Sequence, residues 1–270
     1  MNANATLTSV TILGSGTCVP SLARAACSAL VSSADFRCLV DLGPGVMHRL
    51  LAAGHTIFDI DAILLTHFHP DHSGELASFL FATRYPDLAR RTKPIALYGG
   101  PGLTDFFNRL QAVYGHWIEL PESLFTLIEI DLDRSERYLL NQQIKFTAAP
   151  VNHNSESLAY RIDFRGGASV VFSGDTDWSD NLVDLARGAE LFICESATPD
   201  DQKVAGHLTP QLAGRMARLA GVGKLALTHF YPACEQADMV SQCRASYDGP
   251  LLLAHDLMTI DVGKSGDRPG

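Results

Sequence analysis

The sequence predicts an α+β chain folded as a four-layer αββα sandwich, two mixed β-sheets face to face with helices outside. Short apolar runs of strand length alternate with helix-length segments along nearly all 270 residues. Glycine-rich and polar turns tie neighbouring strands into hairpins in each half. Polar residues suited to metal binding or acid–base chemistry directly follow several apolar runs, where rigid strands hand over to loops. The same element order also admits a doubly wound parallel sheet.

Residues 10–13 read as a buried strand, and Gly14-Ser15-Gly16-Thr17 as the turn after it. That turn lacks the Walker lysine and the third glycine of a dinucleotide fingerprint, so a phosphate loop is rejected. Residues 29–32 and 38–41 form a hairpin, Gly43-Pro44-Gly45 breaks the chain, and 46–53 has helical spacing. A strand over 60–66 and a helix over 73–83 follow. Next come a strand at 95–98, ended by Gly99-Gly100-Pro101-Gly102, and a helix at 103–113. Strands are expected at 124–130, 144–149 and 157–163, and Gly166-Gly167 turns the chain into another at 168–173. A helix near 182–186 and a strand at 191–195 precede a helix opened by Pro210, with Thr209 as its N-cap. A strand at 225–228, a helix near 234–244 and short strands at 251–253 and 258–262 close the chain.

A hydrophobic content of 46% supplies a large core, and no shift in composition marks a linker. One domain over residues 1–270 is expected, with a frayed tail from about 263. The net charge of −9 disfavours an extended grip on nucleic acid, which usually needs a basic face. The tight basic cluster Arg90-Arg91-Lys93, with Arg84 nearby, reads as a solvated loop. Six cysteines without CxxC spacing, and no apolar leader, fit reduced thiols and a cytoplasmic location. A structural metal site at Cys18 and Cys27 is not favoured. No run approaches the ~20 apolar residues of a membrane span.

The chemistry concentrates in Thr66-His67-Phe68-His69-Pro70-Asp71-His72, directly after the apolar run Ile63-Leu64-Leu65. Imidazole and carboxylate are ligands that Zn²⁺ prefers. His67 and His69, two apart, can reach one ion, while Asp71 and His72 face a second as the chain turns into a helix. Three further strands lead to His153, Asp175 and His229. The assignment is His67, His69 and His153 on one ion, Asp71, His72 and His229 on the other, and Asp175 bridging both. A hydroxide between two such ions would be the nucleophile. His48, His55, His116 and His255 lack this context and are expected at the surface or in loops. Arg24 suits a substrate phosphate or a surface salt bridge equally. Tyr114 and Trp117 suit a core or an interface better than a pocket rim.

These motifs resemble the metallo-β-lactamase superfamily, whose HxHxDH segment stands here at His67 to His72, with the later singletons at His153, Asp175 and His229. The resemblance implies the αββα fold and two divalent metal ions, usually zinc, with manganese or iron as options. Within that superfamily the chain is similar to ribonuclease Z and its phosphodiesterase relatives. The similarity lies in Gly14-Ser15-Gly16-Thr17 with Pro20 and Arg24, Leu97-Tyr98-Gly99-Gly100-Pro101-Gly102-Leu103, Cys194-Glu195-Ser196-Ala197-Thr198 and Gly206-His207-Leu208-Thr209. It implies that Asp71, Glu195 and His207 are catalytic, with Glu195 orienting His207 and His207 protonating a leaving oxygen. Ribonuclease Z enzymes carry a long RNA-gripping arm, which the bacterial short form places between the positions of His153 and Asp175. Here two strands and a Gly-Gly turn fill that gap.

The expected function is therefore a zinc phosphodiesterase acting on a small phosphodiester, with no extended RNA binding and no membrane partner. Hydrolysis of a thioester, lactone or sulfate ester, and 3′ processing of transfer RNA, are the alternatives. Di-iron redox chemistry usually needs a flavin domain for which the chain has no room. A homodimer stays open.

Overall fold

In the computed structural model, which describes residues 8–84, 90–132 and 137–263, the apolar runs pair into two mixed sheets of seven strands each. The first holds β1 (Thr8–Gly14), β2 (Ser28–Ser33), β3 (Phe36–Val40), β4 (Ala62–Leu64), β5 (Ile95–Gly99) and β6 (Phe125–Glu129), with β14 (Thr259–Val262) beside β1. The second holds β7 (Tyr138–Leu139), β8 (Ile144–Pro150), β9 (Leu158–Phe164), β10 (Ser169–Phe172), β11 (Leu191–Glu195), β12 (Leu225–Thr228) and β13 (Leu251–Leu253), in that spatial order.

Buried side chains form three apolar layers. Ile12, Val31, Tyr160, Ile162 and Val170 meet between the sheets. Leu39 and Ile63 pack outward on α1 (Val46–Ala52), α3 (Leu76–Arg84) and α4 (Leu103–Tyr114) through Leu50, Phe79 and Leu103. Phe192 and Leu225 pack outward on α5 (Asp180–Leu185), α6 (Pro210–Ala220) and α7 (Met239–Arg244) through Leu182, Met216 and Cys243. Strands covered on both faces need continuous apolar runs, which explains why Leu191–Glu195 does not alternate. The arrangement is the αββα sandwich, not a single doubly wound sheet.

Strand direction places the site. β3, β4, β5 and β6 run parallel. In the second sheet β10, β11, β12 and β13 run parallel, and β8 shares their direction because β9 opposes both β8 and β10. The exits of β8, β10, β11 and β12 therefore lie at one end of that sheet. The exit of β4 joins them, because Thr66 O accepts from Leu158 N at 2.8 Å and Leu65 O from the Tyr160 hydroxyl at 2.7 Å.

Several element boundaries differ from those expected. β4 spans only Ala62–Leu64, since Thr66 N turns to the Asp41 carboxylate. The helix expected at 73–83 divides into α2 (Pro70–Ser73) and α3, with Glu75 between them accepting from Gly45 N and Met47 N. The helix expected near 234–244 begins as a 3₁₀ turn, Pro232–Gln236, and restarts as α7 where Asp238 caps Ser241 N. Thr209 stands at the N-cap of α6, but its hydroxyl makes no capping bond. The pair Tyr138–Leu139 was too short to expect. The tail expected to fray from about 263 lies, beyond Gly263, outside the described residues. Among the described residues no helix is long and apolar enough to cross a membrane.

Candidate metal centre and its acid–base partner

The turn after β4 works by alternation. His67 and His69 point to one side, while Phe68 points to the other and stacks on Phe106 of α4 at 4.8 Å. Ser73 Oγ then donates to Phe68 O and His69 O, and α2 brings Asp71 and His72 inward. His153 follows β8, Asp175 follows β10, Glu195 ends β11 and His229 follows β12. His229 holds a left-handed backbone at φ 61, the strained geometry that gathers at functional sites.

All seven sequence-chosen ligand positions converge. His67, His69, His153 and Asp175 each offer a ligand atom within 4.8 Å of the others, and so do Asp71, His72 and His229. Asp175 lies between the groups. Its Oδ2 faces His67 Nε2 at 3.7 Å and His153 Nε2 at 3.9 Å, and its Oδ1 faces His72 Nε2 at 3.2 Å and His229 Nε2 at 3.3 Å. His69 Nδ1 lies 3.3 Å from His153 Nε2, and Asp71 Oδ2 lies 3.7 Å from His229 Nε2.

The residues fit a metal. His67 Nε2 and Asp175 Oδ1 are buried without a hydrogen-bond partner, which is costly unless something else meets them. The outward ring nitrogens are held. His72 Nδ1 meets Asp41 Oδ2 at 2.8 Å and His153 Nδ1 meets Gly206 O at 2.9 Å. Such bonds fix the tautomer that leaves Nε2 free as a ligand. Burial, helped by the neighbouring His72 charge, lowers His67 to about 2, so its imidazole is neutral. Burial also lowers His153. Burial opposes charge on His72, but Asp175 and Asp41 outweigh it and, without a metal, raise that imidazole well above its ordinary value, so a bound cation would take the place of the Nε2 proton. Burial likewise opposes charge on Asp71, yet the neighbouring His229 and His72 imidazoles hold its carboxyl down at about 2.

Glu195 is buried behind this cluster and fully engaged. Its Oε1 accepts from Thr176 N at 2.7 Å and faces His207 Nδ1 at 3.0 Å. Its Oε2 accepts from Leu208 N at 3.1 Å and Ala197 N at 3.3 Å. Burial works against a charge on His207, but the Glu195 bond and charge prevail and raise its pKa. His207 Nδ1 also lies 4.0 Å from Asp175 Oδ2. His207 thus stands beside the ligand cluster, grouped with Asp175 and His229, with its charged form favoured by Glu195.

Asp41 was missed from the sequence. It follows β3, holds φ 63, and accepts from Thr66 N at 2.7 Å as well as facing His72. The strand-exit pattern that marked His153 and Asp175 also marks Val40-Asp41. Arg24 proves structural: it donates to Ser15 Oγ and Ala254 O and pairs with Glu235 at 2.5 Å. Cys27 lies beside Asp41 and His72, while Cys18 is exposed and meets the Tyr231 hydroxyl. His48, His116 and His255 are exposed, and His55 is half-buried. Tyr114 and Trp117 are exposed, and the Trp117 ring lies tilted against His116, centroids 4.4 Å apart. Within the basic cluster Arg90 is exposed, as a solvated loop requires, but Arg91 is not. Arg91 is buried and donates to Ile60 O, Lys93 O and Ile57 O, and Lys93 pairs with Asp61 at 2.6 Å.

Comparison with known proteins agrees with this geometry. A family described as Beta-lactamase superfamily domain matches residues 37–230. Ribonuclease Z of Mycobacterium bovis BCG is 29% identical over 274 residues, an alignment covering 94% of this chain and 98% of that protein. The short form of human tRNase Z is 27% identical, with a TM-score of 0.73 over 93% of this chain and 98% of that one. The metallo-β-lactamase fold protein YhfI from Bacillus subtilis superposes with a TM-score of 0.80 at 24% identity, covering 94% of this chain and 99% of that one. A sandwich with its His and Asp cluster at the strand exits, matched over most of its length, makes this chain a member of the metallo-β-lactamase superfamily related to ribonuclease Z.

Proposed function

We propose that the protein is a dinuclear zinc phosphodiesterase. The observation that carries this reading is the placement of Asp175, with one oxygen toward His67 and His153 and the other toward His72 and His229. That division suits two ions sharing the Asp175 carboxylate. His67, His69 and His153 would hold one, Asp71, His72 and His229 the other, and Asp175 both. Bound ions would activate a water and neutralise phosphoryl oxygens.

The chain's own groups supply the remaining steps. Asp71, held ionised, accepts the proton of the attacking water. Glu195 holds His207 Nδ1 and raises its pKa, which favours the charged ring, so His207 Nε2 would give a proton to the leaving oxygen. A thiolate leaves without such help, so a built proton donor favours an alkoxide leaving group and disfavours a thioester substrate.

A small phosphodiester is the preferred substrate class. The span from His153 to Asp175 is occupied by β9, the Gly166-Gly167 turn and β10, and the net charge is −9. Cleavage of precursor transfer RNA is the second reading, favoured by the likeness to ribonuclease Z. Zinc-loaded protein should be assayed on nitrophenyl phosphodiesters, cyclic nucleotides, thioesters, lactones and precursor transfer RNA. The expected outcome is turnover of a small phosphodiester, with RNA cleavage weak and fading as salt rises. Efficient cleavage at one 3′ position would replace this reading with the second. Turnover of thioesters or lactones alone would remove both.

A further inference from the structure

We infer that Asp177 is a positioning residue that, with Lys203, sets Gly206 and thereby couples the ligand His153 to the acid His207. The inference rests on the metal-site reading above. Asp177 N donates to Asn152 O at 2.8 Å, one residue before His153. Its Oδ1 accepts from Trp178 N at 2.8 Å, which fixes the carboxylate plane. Its Oδ2 accepts from Lys203 Nζ at 2.7 Å and from Gly206 N at 3.1 Å.

Gly206 is therefore gripped on both sides, because its carbonyl faces His153 Nδ1 at 2.9 Å. The grip needs glycine. Its φ is +85, and a Cβ there would stand 3.1 Å from His153 Nδ1. The next residue is His207, whose ring lies 4.9 Å from that of His153. Lys203 Nζ and His207 N both donate to Val204 O, which ties the loop to itself. A shift of Gly206 must move the two rings together. The Asp177–Lys203 pair is about one-third exposed, at 33% and 31%, so as an ion pair it adds little stability. Its contribution is geometric, and it acts through Gly206.

The test compares Asp177→Ala, Lys203→Met and Lys203→Arg with the wild type. Competition between the protein and a chromophoric chelator reads the affinity of each zinc ion without any substrate. Asp177→Ala should weaken one ion by about 10–100-fold, the usual loss when a ligand's supporting bond is removed. The other ion should stay within a few-fold. Its kcat should fall further for an alkyl ester than for a nitrophenyl ester. Lys203→Met should shift the same ion by less, and Lys203→Arg should restore it. Wild-type affinities in a folded Asp177→Ala would overturn the inference alone, and equal loss at both ions would reduce Asp177 to a general structural role. If Asp177→Ala does not fold, Lys203→Met carries the comparison, and unchanged affinities there overturn the inference. A wild type that binds no zinc overturns the proposed function with it.

Discussion

Replacing His207 by alanine separates the proposed acid from the proposed metal ligands. Glu195 retains three backbone donors after the change, Thr176 N, Leu208 N and Ala197 N. The buried carboxylate is not orphaned, so the fold should hold. Replacing Glu195 itself would strand those buried N–H groups, at about 1–3 kcal/mol each, which makes it the poorer test. Loss of a general acid costs about 10²–10⁴-fold in kcat, or about 3–5 kcal/mol in the barrier. The assay pairs a nitrophenyl phosphodiester with a diester of an alkyl alcohol. Nitrophenolate needs little protonation and should lose far less rate. Zinc content should stay at the wild-type level. Equal slowing of both esters would refute the acid role.

The pH dependence supplies an independent check. Burial disfavours the His207 charge, but Glu195 overcomes it and raises the pKa. A raised folded-state pKa means that the stabilisation is complete below the unfolded value of about 6.5 and fades as pH rises through the folded one. The protonated acid disappears over the same interval. Wild-type turnover of the alkyl ester should therefore fall on the alkaline side, and His207→Ala should lose that limb. An unchanged alkaline limb in the variant would assign it to another group.

Three further outcomes are expected. Metal analysis of protein purified without chelator should give about two ions per chain; Asp175→Ala should loosen both and His153→Ala one, and a reproducible value near zero that zinc or manganese does not restore would end the dinuclear reading. Asp41→Asn should weaken metal binding by about 10–100-fold and lower stability in denaturant by about 1–3 kcal/mol, because one amide cannot accept from both Thr66 N and His72 Nδ1 as the carboxylate does. Asp71, held at about 2 against its burial by His229 and His72, stabilises the metal-free fold above the unfolded value of about 3.9. That contribution should be lost as pH falls toward 2, and an acid-unfolding curve identical in Asp71→Asn would show that it is absent.

The sandwich and the His and Asp cluster were legible because each left a local trace. Fully buried strands need continuous apolar runs, and His67, His69, Asp71 and His72 reach their places within one turn. His153, Asp175 and His229 were readable because a strand delivers each of them. Glu195 and His207 came from motif likeness alone, and the bond between them is what gives that likeness chemical content.

What stayed hidden was the support. Asp41 and Asp177 act by accepting backbone N–H groups that are distant in sequence, Thr66 N and Gly206 N. In a sequence such a carboxylate looks like any turn residue, because the donor it serves is set by pairing across strands and loops. Arg91 misled for the same reason. Nothing local marks Ile57 O, Ile60 O and Lys93 O as carbonyls in need of donors, so a buried structural arginine looked like part of a charged surface. Ligands are chosen by their own chemistry and can be read one at a time. Residues that aim them are chosen by the unsatisfied groups around them, and those exist only once the chain has folded.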